Sequence, residues 1–355
     1  MKKEEKYSVI GVMSGTSLDG LDIIQCSFNF KKKWEYKIDK CKTVKYSKKW
    51  FKNLSTLHLK NEKKINETNI AFGKFIGEEI NKFISKKELV DIICSHGHTI
   101  FHQPKKNFTL QIGDGETIAN TTGISTINNF RNLDIKLKGE GAPLVPIGDL
   151  KLFTKYKYCL NLGGFANLSI KNQTKIKAFD ICPANIILNF LANKYGFEFD
   201  KNGEIGRKGK VNTHLLDYLN EIKYYQYKGP KSLSREWLEK NILKIDYLKK
   251  LTIEDSLATF YEHIGFQIGT KLKNKSVFIT GGGALNSFLI EKIKKYSLSK
   301  IILGTDEEIN FKEALIFGFL GVLKLRSEIN CLSEVTGATK DSSCGEIHEY
   351  LKDMN

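Results

Sequence analysis

The sequence predicts an α/β protein of two lobes, built as a duplicated architecture with a cleft between them. Three observations lead there. A chain of 355 residues is longer than one core comfortably fills. Short apolar runs that read as strands alternate with stretches of helical spacing. A unit of strand, polar or glycine turn, strand opens the chain and then recurs at "YKYCLNLGGFANLSI" as a repeat of organisation rather than of sequence.

The first lobe opens with "YSVIGVM", "LDIIQCSFNF" and the alternating "EYKIDKCKTVKY", three strands joined by short turns. "NIAFGKFIGEEINKFI" has helical spacing, and "VDIICSHG" is a short strand ending on polar residues, a common address for ligand groups in α/β sheets. In the second half, "IKAFDICPAN" runs from a strand into the helix "IILNFLANKYG", with Pro183 and Asn185 opening that helix. "ATFYEHIGFQIGTKL" is helical, "SVFITGGGA" is a strand with a glycine turn, and "NSFLIEKIKKY" and "FKEALIFGFLGVLKLRS" are helices. The expected boundary lies between residues 125 and 155. It assigns 1–130 to the N-terminal lobe and 131–310 to the C-terminal lobe, with 311–355 returning to pack on the first.

Composition narrows the class. With 41% hydrophobic and 27% charged residues the chain reads as an ordinary globular protein. No apolar run approaches the roughly 20 residues of a membrane helix, and "MKKEEKYSVIGVM" lacks a signal-peptide core, so no membrane partner is expected. Seven dispersed cysteines without a CxxC pair fit free thiols in a reducing, cytoplasmic setting. The formal charge of +16 invites a nucleic-acid reading, but only four of the 56 basic residues are arginine, the side chain base readers lean on for its bidentate fork. Lysine pairs on solvated faces account for the charge, and no nucleic-acid partner is expected.

The chemistry-bearing stretches each have two readings. "SGTSLDG" brings the hydroxyls of Ser14, Thr16 and Ser17, the glycines Gly15 and Gly20, and the carboxylates Asp19 and Asp22 into one turn. A phosphate wants many short-range donors, and Asp19 is placed to hold magnesium through water; the same turn also serves as a plain strand connection. "NLGGFANLS" (Gly163, Gly164, Asn167) and "ITGGGALN" (Gly281, Gly282, Gly283, Asn286) are two further glycine turns after strands. Neither a Walker motif nor a dinucleotide fingerprint is present. Asp180, at the end of its strand, is either a general base or a capping aspartate. His96, His98 and His102 in "SHGHTIFH" suit hydrogen-bonding positions in a cleft better than a zinc site, since no acidic partner stands at metalloenzyme spacing. Arg131, in "NNFRNLDIKLKGEGAPLVP", and Lys231, Ser232 and Arg235, in "GPKSLSRE", fit either an anionic ligand or structural ion pairs.

Taken in order, "GVMSGTSLDGLD", "SHGHT", "TLQIGD", "FRNLDIKLKGEGAPLVP", "NLGGFANLS", "FDICPAN", "GPKSLSRE", "ITGGGALN" and "TGA" resemble the anhydro-N-acetylmuramic acid kinases over residues 11 to 338. The resemblance implies the sugar kinase, actin and heat-shock ATPase superfamily: a duplicated, ribonuclease H-like two-lobe fold with ATP in the interlobe cleft. It implies conversion of ATP, water and 1,6-anhydro-N-acetylmuramic acid to N-acetylmuramic acid 6-phosphate and ADP, in bacterial cell-wall recycling, with ATP and Mg2+ as cofactors. It makes Asp180 the base that takes a proton from water. ATP contacts fall on Gly15, Thr16, Ser17, Leu18, Asp19, Gly20, Leu21 and Asp22, with Gly163, Gly164, Asn167, Gly281, Gly282 and Gly283. His96, Arg131, Asn185 and Glu313 face the sugar, and a homodimer is implied.

The chain departs from the commonest family pattern at Asn129, at Lys138 and Glu140, at His98, and at Cys182 and Ala184, where glycines are usual. These positions bear on the exact sugar. Two alternatives stay open on sequence alone: a kinase of the same fold for another anhydro or amino sugar, and a non-catalytic ATP or sugar sensor.

Overall fold

The computed structural model describes residues 5–173, 175–227, 231–245 and 250–350. Pro230, in the "GPKSLSRE" segment, lies outside them. The chain divides into two units, Met1–Leu152 with Phe311–Asn355, and Phe153–Asn310. Residues 131–152 therefore belong to the first unit, not to the second as the sequence boundary had it. The physical reason is the loop after Arg131, which is tied into the first unit by the bond of Arg131 to His96 and by that of Thr336 to Asp134.

The first unit is built on a seven-stranded sheet. β1 (Glu5–Ser14), β2 (Leu21–Phe30) and β3 (Trp34–Val44) form an antiparallel meander joined by short turns, β1 with a continuous buried run over Val9–Val12 and β3 with residues that alternate toward solvent. β4 (Ile92–Gln103) lies parallel to β1, and β6 (Thr126–Asn128) parallel to β4. β5 (Phe108–Ile112) folds back antiparallel on the second half of β4, which is why that strand extends well past the "VDIICSHG" run. The Glu62–Phe83 helix buries Phe72, Ile76 and Ile80 with Ile10, Val12, Ile23 and Ile93 of the sheet. From Phe311 on, the Asp306–Leu325 helix crosses β1 so closely that a Cβ at Gly11 would run into the Ala314 carbonyl.

The second unit repeats the order on a five-stranded sheet. β7 (Tyr158–Leu162), β8 (Phe165–Asn172) and β9 (Lys175–Pro183) form the antiparallel meander. β10 (Val277–Thr280) and β11 (Ile301–Leu303) follow in parallel, and β9 is the sheet edge. In both units the third, second and first strands of the meander are followed by the parallel ones, so the duplication lies in topology. This is the duplicated, ribonuclease H-like arrangement expected from sequence. The core of this unit gathers Leu160, Leu162, Leu168, Ile181, Leu188, Ile264 and Ile279.

Two local expectations change. Asp180 is not the last residue of its strand, since β9 runs on to Pro183. Only Asn185 opens the next helix, Asn185–Asn193; Pro183 ends the strand before it. Cys182 is fully buried in the hydrophobic core opposite Ala166, so its thiol faces packing rather than a ligand.

Candidate active site

In the first unit the β1–β2 turn projects Thr16, Ser17 and Asp19 into solvent, while Ser14, Gly20 and Leu21 are buried at its base. Leu18 takes φ 62° and its N–H bonds the Gly15 carbonyl at 3.2 Å, which closes the turn. Gly20 is required by close approach: a Cβ there would stand 2.7 Å from both Thr43 Cγ2 and the Val44 carbonyl oxygen. At the base, Ser14 Oγ lies 2.6 Å from the Tyr46 hydroxyl and 2.8 Å from His98 Nδ1. His98, with its pKa lowered to about 4 by burial, is neutral at physiological pH and anchors the turn rather than facing out of it.

Asp22, the second residue of the return strand β2, accepts a hydrogen bond from Thr43 Oγ1 at 2.5 Å. Burial raises its pKa to about 6, and the charges of Glu313 and Asp19 add to the rise. Glu313 sits one residue before the Ala314–Gly11 crossing. It stays open to solvent, yet surrounding protein raises its pKa, while Arg131 and Lys312 pull it down.

Arg131 donates from Nε to His96 Nε2 at 3.0 Å and from Nη1 to the Gly141 carbonyl at 2.7 Å. Its own pKa comes down to about 10 through burial, against the attraction of Glu313, so it remains a cation at neutral pH. His96 is buried against Phe317, with Nδ1 3.0 Å from the Gly97 carbonyl, and both ring nitrogens are thus engaged. Asp134, a residue without an assigned role in the sequence, is fully buried and accepts from Gly141 N, Thr336 Oγ1 and Cys331 Sγ at 2.8, 2.7 and 3.1 Å. It holds the "KGEGAP" loop and the "TGA" segment in one place. Lys138 and Glu140 are both exposed on that loop.

In the second unit the register assembles a polar row that no single stretch announces. Asp180 on β9 stands opposite Asn167 on β8, Asn167 opposite Asn161 on β7, and Asn161 beside Thr280 on β10. A register shift at Ala166/Asn167 sets this alignment. By the alternation of the pleat the row faces away from Leu160, Leu168 and Ile279. Asn161 and Thr280 are the members missed from sequence; the hydroxyl of Thr280 is buried without a hydrogen-bond partner.

The glycine turns flank this row. Gly163 and Gly164 present carbonyls that accept from the N–H groups of Asn185 and Ala184 at 3.1 and 2.8 Å. Asn185 Nδ2 donates to the Leu162 carbonyl at 3.0 Å, and a Cβ at Gly283 would stand 3.0 Å from Asn185 Oδ1. Gly281 has φ 80°, and a Cβ there would crowd Asn161 Oδ1 at 2.6 Å. Gly282 is exposed beyond them, and Asn286 caps the Ser287–Tyr296 helix through Leu289 N. Asp180 does not cap a helix. Its Oδ2 accepts from Leu233 N at 2.8 Å, and burial raises its pKa while that N–H lowers it.

The first unit thus holds Ser14 and Asp22 at the β1–β2 turn, His96 and His98 in the middle of β4, and Arg131 and Glu313 from a loop and a helix beside them, and the second holds Asp180, Asn167, Asn185 and the two glycine turns. Among the described residues no group of three or more His, Cys, Asp or Glu side chains forms a metal cage. A family model described as Anhydro-N-acetylmuramic acid kinase matches residues 7–350.

The chain belongs to the anhydro-N-acetylmuramic acid kinase family.

A family relative of that name from Gamma-proteobacterium EBAC31A08 is 33% identical over 344 residues, covering 91% of this chain and 93% of the relative. One from Acinetobacter baylyi is 33% identical over 376 residues, covering 95% and 98%. A solved structure titled as the activator of the 2-hydroxyisocaproyl-CoA dehydratase from Clostridium difficile with bound ADPNP covers 90% of this chain and 97% of its own, at 12% identity and a TM-score of 0.41.

Proposed function

We propose that this family member is an ATP-dependent kinase that opens 1,6-anhydro-N-acetylmuramic acid with water and phosphorylates O6, giving N-acetylmuramic acid 6-phosphate and ADP. The observation that carries the reading is the Asp180 carboxylate, fixed at one oxygen by Leu233 N–H and set beside the glycine turns of the second sheet. With Oδ2 engaged, Oδ1 is the atom that accepts the proton of the water adding at the anomeric carbon. The bridge oxygen leaves C1, stays on C6 and attacks the γ-phosphate, so one bond cleavage supplies the nucleophile for the next. The rise in the pKa of Asp180 makes it a stronger base than a free aspartate.

Phosphoryl transfer asks chiefly for positioning and charge stabilisation. The exposed hydroxyls of Thr16 and Ser17, with the backbone from Gly15 to Asp22, suit phosphate oxygens. Gly163, Gly164, Asn167 and Gly281 to Gly283 offer the second set of nucleotide contacts. Arg131 and Glu313, with His96 behind the arginine and Asn185 in the other unit, are the sugar contacts.

The residues present fit magnesium. Asp22 is destabilised in its charged form by burial first and then by the charges of Glu313 and Asp19, and a divalent cation would relieve that cost. Asp19 would hold the ion through water, and its chemistry there is to neutralise charge on the phosphates. In this reading the protein works in the cytoplasm in cell-wall recycling, as a homodimer, without nucleic-acid or membrane partners.

The test is ADP release from ATP and magnesium with and without 1,6-anhydro-N-acetylmuramic acid. Strong sugar-dependent release with a 6-phosphate product is expected. Silence with that sugar alongside ATP binding would overturn the substrate assignment in favour of another sugar or a sensor.

A further inference from the structure

β9 is a sheet edge, and an edge strand leaves N–H and C=O groups that need partners. At Asp180 those partners are three residues of the same unit. Asp180 N donates to the Lys231 carbonyl at 3.0 Å, and the Tyr224 hydroxyl donates to the Asp180 carbonyl at 2.8 Å. Leu233 N donates to the carboxylate at 2.8 Å. Three of the residue's hydrogen-bonding groups are thus held by Tyr224, Lys231 and Leu233. The holder is itself braced: Lys231 Nζ donates to the Tyr224 carbonyl at 2.8 Å and lies 4.4 Å from its ring centroid. The Tyr224 ring packs on Trp237 with centroids 5.1 Å apart.

We propose that Tyr224 and the Lys231–Leu233 backbone are positioning residues for Asp180, fixing the strand at its carbonyl and amide and turning Oδ1 toward the reacting water. The inference rests on Asp180 being the base. Misplacing a base by about an ångström costs on the order of a hundredfold in rate, so the hold bears on turnover while leaving nucleotide contacts alone. The Leu233 N–H also favours the charged form of the carboxylate. The titratable groups that bear on Asp180 are Tyr224 and Cys182, both raised by burial and so neutral at working pH, and Lys231, whose ammonium is engaged on the Tyr224 carbonyl.

The experiment measures sugar-dependent ADP release by the full chain across pH for Tyr224→Phe, Leu233→Pro, Leu233→Ala and Asp180→Asn, each first checked for folding by thermal unfolding. Tyr224→Phe is expected to lower kcat about tenfold with the KM for ATP within about twofold of the parent. Leu233→Pro, which lacks the N–H, is expected to move the acid limb of kcat upward by about one pH unit, whereas Leu233→Ala leaves it in place. Parental kcat in Tyr224→Phe together with an unmoved acid limb in Leu233→Pro would overturn the inference while Asp180→Asn stays inactive. If Leu233→Pro does not fold, Tyr224→Phe decides alone. Full turnover in Asp180→Asn would instead remove the reading on which the inference stands.

Discussion

Arg131 donates its Nε hydrogen to His96 Nε2 at 3.0 Å, a bond open only to a neutral imidazole with its proton on Nδ1, toward the Gly97 carbonyl. Burial and the charge of Arg131 both hold the pKa of His96 well below its ordinary value. The arginine is thereby fixed at two points and keeps its remaining donors for an anionic partner. Lysine reproduces the charge but not the fork. Arg131→Lys is expected to raise the KM for the sugar roughly ten- to a hundredfold, the scale of a lost charge-assisted hydrogen bond, with a smaller change in the KM for ATP. Steady-state kinetics at varied sugar checks it, and an unchanged sugar KM would take Arg131 out of substrate contact.

Asp180→Asn removes the proton acceptor and keeps the shape and the Leu233 contact. Turnover is expected to fall by about a thousandfold or more, the scale lost with a general base, while ATP affinity is retained. Single-turnover kinetics paired with nucleotide titration separates the two.

The behaviour of Asp22 with pH follows from its pKa near 6, above the ordinary 3.8. A carboxyl raised on folding is charged at a cost above about pH 6. Its unfavourable contribution is full there, declines as the pH falls through 6, and is gone below about 4. Asp22→Asn is therefore expected to stabilise the ligand-free protein at pH 7.5 by about 1 kcal/mol, discounted for partial solvent screening. The gain shrinks at pH 5. Magnesium–nucleotide affinity moves the other way, strengthening from pH 5 to 7 in the parent and changing less in the variant. Thermal unfolding and nucleotide titration at the two pH values check both signs.

The two turn glycines differ. Gly20→Ala would press a methyl against Thr43 and the Val44 backbone and is expected to destabilise by about 1–3 kcal/mol. Gly15→Ala meets the Ser17 hydroxyl at 3.3 Å and the Ser17 nitrogen at 4.0 Å, and is expected to cost little stability. If Gly15→Ala still weakens ATP binding, backbone approach to phosphate is its cause. Denaturant unfolding beside nucleotide affinity distinguishes them.

By itself the sequence determined the alternating strands, the three turns and the family resemblance, because these rest on local periodicity and on residues contiguous in the chain. Asp180, Glu313 and Arg131 could be singled out for the same reason: each stands inside a recognisable segment. Tertiary structure alone decided that Asn161 and Thr280 join Asp180 and Asn167 in one row, since cross-strand register and a bulge are set by pairing between distant segments. It alone assigned residues 131–152 to the first unit, through the buried Asp134 that ties the "GEGAP" loop to Thr336 about 200 residues later. The environments of His96, His98 and Asp22 were likewise invisible, because a pKa answers to burial and to charges brought near by folding, not to sequence neighbours. What a segment carries is written locally; what faces it is a property of the packed sheet.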